Sequence, residues 1–112
     1  MELQQLSPEK LNYILTELQY RFEDLYGSRL IRLVLYGSQA RGDALPGSDV
    51  DVLVVLAGSV DSATEIERVT PITAALSLDQ DIVISCLYVS EERYAQEKSP
   101  LLLNVRREGV IV

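Results

Sequence analysis

The chain has 112 residues, 47% of them hydrophobic, with 17 acidic and 10 basic side chains, a net charge of −7, one cysteine and no histidine. That length suits one compact domain, taken as residues 1–112, and the apolar content excludes a disordered chain. A lone Cys86 excludes an internal disulfide, and the missing histidine excludes zinc chemistry and Ser-His or Cys-His triads, leaving carboxylates and a hard metal to run any reaction. The acidic balance argues against direct nucleic-acid binding, but it permits a nucleotide escorted by magnesium, or a basic protein partner.

No 18-residue apolar run is present, and the acidic N-terminus lacks a leader's basic-then-apolar layout, so a soluble, cytoplasmic protein with no membrane partner is expected. Ser7-Pro8 opens a first helix, with serine as cap and proline where a missing N–H costs nothing. Leu11, Ile14, Leu15, Leu18, Phe22 and Leu25 form its apolar stripe, and Gly27 closes it. Tyr13, Tyr20 and Tyr26 lie partly off that stripe, as rim residues of a core or of an interface.

Leu30 to Tyr36 reads as a first strand, and it stops at Gly37-Ser38. Gly37 permits a sharp turn and close approach by a ligand, and Ser38 sits where an N-cap would, ahead of the helical turn Gln39-Ala40-Arg41. Free N–H groups there would attract phosphate, with the Ser38 hydroxyl and the Arg41 guanidinium assisting. Taken singly, the turn is an ordinary strand-to-helix junction and Arg41 a solvated charge.

Asp43 to Ser48, with Pro46-Gly47, is a turn that delivers Asp49 to a second strand, Val50 to Leu56. Alternation sends Asp49 and Asp51 to one side, roughly 7 Å apart. Two like charges that close, beside an apolar sheet, call for a divalent cation, and oxygen ligands suit magnesium. Asp43 is a weaker candidate for a further ligand. Both faces of this strand are apolar beyond Asp51, which predicts a sheet covered on both sides, an α/β arrangement.

Gly37-Ser38, Arg41-Gly42 and Ser48-Asp49-x-Asp51 match, in order and spacing, the G-S-x-x-R-G-x(5)-S-D-x-D signature. The chain thereby resembles the minimal nucleotidyltransferases of the DNA polymerase beta-like superfamily. The resemblance implies a mixed β-sheet flanked by helices in a single small α/β domain. It also implies a nucleoside triphosphate held at Gly37, Ser38, Arg41 and Ser48, two Mg2+ ions on carboxylates, and a third carboxylate on a later strand.

A second long helix is predicted from Asp61 or Ser62 to about Leu76, with Ile66, Val69, Ile72 or Thr73 and Leu76 inward and a kink or break at Pro71. The third strand is placed at Ile82 to Val89, with Cys86 a small buried hydrophobe within it. An acidic residue leading an apolar strand matches the superfamily's third ligand, so that role is carried to Asp81, with Asp79 the competitor. Ser90 and Ser99-Pro100 open two further helices, the last closed by Gly109. Val110-Ile111-Val112 should be covered, as a strand edge or by a partner.

The resemblance implies transfer of AMP from ATP with loss of pyrophosphate, catalysed by Asp49, Asp51 and Asp81. Larger relatives carry an acceptor-binding domain that this chain lacks, so a second protein is expected to supply the acceptor. By resemblance alone, that partner is a HEPN-domain ribonuclease toxin, adenylylated on a tyrosine by this antitoxin. Three alternatives are an antitoxin that neutralises by contact, one subunit of a two-chain small-molecule or nucleic-acid nucleotidyltransferase, and a structural domain without a site.

Overall fold

The computed structural model describes residues 6–112, and the N-terminal stretch read above for a leader's layout lies outside them. The element order is α1 (Pro8–Tyr26), a 3-10 turn (Gly27–Arg29), β1 (Leu30–Tyr36), α2 (Ser38–Arg41), β2 (Val50–Leu56), α3 (Ser62–Gln80), β3 (Ile84–Ser90), α4 (Glu91–Gln96), α5 (Pro100–Glu108) and β4 (Val110–Ile111). Sheet order is β3-β2-β1-β4. β1 runs antiparallel to β2 and β4, whereas β2 and β3 are parallel, joined by the crossover of α3. The sheet is mixed and lies between helices, as expected.

Alternation along β2 explains the two layers. Val50, Val52, Val54 and Leu56 join Leu33 and Leu35 against Ile14, Leu18 and Phe22 of α1 and Val69 and Leu76 of α3. Leu53 and Val55 point the other way, with Val34 and Val89, and meet Leu102 and Val105 of α5. Every residue of β2 except Asp51 is fully buried, each apolar side chain contributing roughly 1.5–3 kcal/mol. Asp51 belongs to the α5 face, the more thinly covered one. There Leu87, level with Leu53, stays 42% exposed.

Several expectations need correction. The helix α3 is continuous through Pro71 to Gln80. Pro71 lies on the exposed side, where solvent can satisfy a carbonyl left without its usual N–H. Ile66, placed in the core from the sequence, is 52% exposed, and Glu65 is buried in its stead. Finally, β3 starts at Ile84, because α3 runs on and Asp81 caps it in the left-handed conformation at φ 53°, one that aspartate tolerates better than most residues.

Leu25, assigned to the stripe of α1, is 38% exposed, whereas Tyr26 is buried. The chain end does form an edge strand, with Val34 opposite Ile111 and Leu35 opposite Val110. Its side chains nevertheless remain about half exposed, at 49% for Val110 and 58% for Ile111. The turn from α5 into β4 passes so close to β1 that a Cβ on Gly109 would fall 2.6 Å from Val34 Cγ1.

Candidate active site

Gly37 ends β1 with φ 74° and caps α2, making Ser38 the first helical residue and not the cap. Ala40 and Arg41 donate their N–H groups to the Gly37 carbonyl at 3.1 Å, and Gly42, left-handed at φ 81°, donates to Ser38 O at 3.0 Å. At a helix start the first N–H groups fall outside the helical ladder and are available to an anion.

The bend packs directly on a carboxylate. A Cβ built on Gly37 would lie 2.6 Å from Asp51 Oδ2, so only glycine fits between the turn and the acid. Asp51 is half-buried and Asp49, at the mouth of the strand, is exposed. Burial pushes the Asp51 carboxyl above the ordinary aspartate range, and the charge of Asp49 pushes it further. The charge of Asp49 is thus felt at Asp51. The donor set fits a divalent cation, which would relieve the repulsion between the two acids.

Tyr36 lies directly across from Asp51 in the sheet. Burial first, then the Asp51 charge and Cys86, pushes its phenol up to about 12. On the opposite flank Ser85 of β3 is level with Asp51. In-register neighbours in a sheet share a face, so Ser85 occupies the β3 position nearest the acid. Neither Tyr36 nor Ser85 was singled out from the sequence. Tyr36 could have been found from its place beside the glycine, but Ser85 depends on the register of β3 against β2, Asp51 opposite Ser85, which no local pattern carries.

The structure does not bring Asp81 to this pair. It is exposed at the end of α3, four residues before the partner of Asp51 and two before Val83, whose carbonyl accepts the Val50 N–H at 2.9 Å. Among the described residues no three Asp, Glu, Cys or His side chains are grouped so as to hold a metal ion. The competitor Asp79 is still within α3, where it accepts a hydrogen bond from Gln80.

Two other motif residues have local duties. The Ser48 hydroxyl accepts the Leu45 N–H at 3.0 Å, and the Ser48 carbonyl accepts from Gln39 Nε2 at 3.4 Å, which pins the loop ahead of Asp49. Arg41 Nε is 3.1 Å from Asp43 Oδ2, and its Nη1 is 3.7 Å from Glu108 Oε2. Asp43 first, then Glu108, holds the Arg41 guanidinium above its usual range. Asp43 is thus the partner of Arg41, on the rim of the site.

The family of nucleotidyltransferase domains has a profile that matches residues 14–104, from mid-α1 to α5. The chain belongs to this nucleotidyltransferase domain family. Two relatives from Methanocaldococcus jannaschii share the name "Putative protein adenylyltransferase". MJ1305 is 32% identical over 101 residues, covering 90% of this chain and 60% of that protein. MJ0604 is 36% identical over 88 residues, covering 78% and 82%. The chain therefore spans less than two thirds of the length of MJ1305.

Solved structures share the nucleotidyltransferase fold. A "putative nucleotidyltransferase" from Sulfolobus solfataricus superposes with a TM-score of 0.63 at 20% identity, covering 99% of this chain and 89% of that one. A toxin-antitoxin complex with AMP-PNP gives 0.59 at 21% identity, covering 89% and 69%. The toxin-antitoxin pair MntA-HpeT gives 0.56 at 18% identity, with the same coverage. At these identities the likeness is one of fold.

Proposed function

We propose that this nucleotidyltransferase domain transfers AMP from ATP to a hydroxyl of a partner protein. The favoured acceptor is a tyrosine of a HEPN-domain ribonuclease toxin, with this chain acting as the antitoxin. The observation that carries the reading is the close packing of the Gly37 bend on the Asp51 carboxylate, which supports a ligand shared by turn and acid. The names of the two relatives support the adenylyl group, and the toxin-antitoxin neighbours support a protein acceptor.

In this reading Gly37 and Ser38 hold the β and γ phosphates through backbone N–H groups and the serine hydroxyl, and Arg41 adds positive charge from the rim. Asp49 and Asp51 hold magnesium. That ion, when bound, neutralises the triphosphate and lowers the pKa of the attacking hydroxyl. The acceptor oxygen bonds to the α-phosphorus as the bond to the bridging oxygen breaks, pyrophosphate departs with that oxygen, and the hydroxyl proton passes to water. Ser48 acts through the loop it closes, by positioning Asp49.

Asp81 has no role here, and this favours a second reading, in which the domain neutralises its partner by contact alone. Incubation with the partner, magnesium and α-labelled ATP separates the two. Label should move to the partner and disappear with Asp49→Asn or Asp51→Asn. Full neutralisation by those variants would leave contact as the mechanism, and label on a small molecule or nucleic acid would make the domain one half of a two-chain enzyme.

A further inference from the structure

On the α5 face, immediately beside the Gly37 bend, a cavity of about 240 Å³ is lined by Tyr36, Gly37, Arg41, Leu101, Asn104, Val105 and Glu108. It is smaller than the roughly 300–1,000 Å³ of sites for whole drug-sized ligands, and suits one ring system. Its walls are chemically divided. Tyr36, Leu101 and Val105 supply aromatic and aliphatic surface, with Leu101 still 41% exposed. The Arg41 guanidinium is engaged by Asp43 and Glu108. Asn104 is exposed, and its Oδ1 accepts one hydrogen bond, from Arg107 at 2.9 Å, which leaves the amide NH2 and a second lone pair on Oδ1 to a ligand.

Resting on the nucleotidyl-transfer reading, we infer that this cavity takes the nucleobase of the triphosphate and that Asn104 makes it selective for adenine. Gly37 belongs both to the bend and to the cavity wall, so a nucleotide with its phosphates on the bend has its base within reach of the cavity. Tyr36 and Asp51 are directly paired and share the α5 face, so base and metal-binding acids lie on the same side of the sheet. A side-chain amide presents one donor and one acceptor, which complement the N6 amino group of adenine and its neighbouring ring nitrogen. With the N7 edge turned toward Asn104, adenine offers one acceptor and one donor whereas guanine offers two acceptors, N7 and O6, so the selectivity requires the base to present that edge. Leu101 and Tyr36 offer apolar surface to the face of the ring.

Isothermal titration in magnesium tests the inference with three probes: a non-hydrolysable ATP analogue, the matching GTP analogue, and inorganic tripolyphosphate. Wild type should bind the ATP analogue at least about tenfold more tightly than the GTP analogue. Asn104→Leu should lose that preference and about tenfold in affinity for the ATP analogue, while tripolyphosphate affinity stays within about twofold. Leu101→Gln, at another wall, should weaken both analogues and spare tripolyphosphate. Equal losses for all three probes, or no loss with either variant, would overturn the base site. If Asp51→Asn leaves tripolyphosphate binding intact, it is the nucleotidyl-transfer reading that fails.

Discussion

Glu65 and Asp51 are both carboxylates drawn out of bulk water, and their surroundings are opposite. Glu65, 2% exposed, accepts the Tyr26 hydroxyl at 2.8 Å and Arg29 Nη1 at 3.0 Å, with Arg68 Nη1 at 3.4 Å. Arg29 also reaches the carbonyls of Ala57 and Ser59, so the cluster ties α1, α3 and the end of β2 together. Asp51 faces a second acid and a glycine. Burial pushes both groups up, but at Glu65 the Tyr26 and Arg29 hydrogen bonds and the nearby guanidinium charges outweigh it and hold the carboxyl below its ordinary value. At Asp51 burial and Asp49 act in the same direction. A carboxylate whose partners are all supplied by the fold is structural, whereas one whose partner is missing is a place for a ligand.

Substitution should separate the two acids, with the largest effect at the pair proposed to hold the metal. Asp51→Asn should lower AMP transfer by at least about 100-fold, equivalent to several kcal/mol of transition-state stabilisation. It should leave the melting temperature unchanged or higher, since a repulsion is removed. Glu65→Ala should do the reverse. It strands Tyr26 and Arg29, and chemical denaturation should show a loss of about 2–4 kcal/mol, discounted for the partial exposure of both arginines. Transfer per folded molecule should be retained. A large activity loss in Glu65→Ala at full folding would erase the distinction.

Gly37→Ala touches both properties. The new methyl group would collide with Asp51 Oδ2 in a conformation that disfavours any side chain, costing about 1–3 kcal/mol of stability and displacing the acid, so transfer and melting temperature should fall together. The smallest effect is the pH dependence. The folded pKa of Glu65 lies below its ordinary value of 4.5, so the stabilisation it gives is present above that pH and is lost as pH falls through the folded value. Glu65→Gln should flatten this acid-side decline in an unfolding titration. An unchanged slope would place the responsible group elsewhere.

What could be read from the sequence was what short-range periodicity carries. The glycine bend and the Ser-Pro helix starts at Ser7 and Ser99 follow from steric and capping rules within a few residues, and the structure bears them out. Asp81 takes its role from the resemblance, as the acid leading an apolar run, but Ile82 and Val83 of that run precede the strand, since α3 continues to Gln80. The length of a crossover helix, and hence the register it delivers, is settled by tertiary packing. The buried Glu65 was invisible for a similar reason, because its partners Tyr26 and Arg29 come from a segment 36 or more residues away.

Gly109 contributes no functional group, yet it works as a spacer of zero thickness. With hydrogen there in place of a methyl, the last turn of α5 can rest against Val34, and Leu101 and Asn104 are carried in toward the end of β1 on the same rigid rod. Any larger residue would lever that rod outward and widen the gap beside the bend. The width of the cleft that would grip a base is thus set by the thinnest residue in the chain.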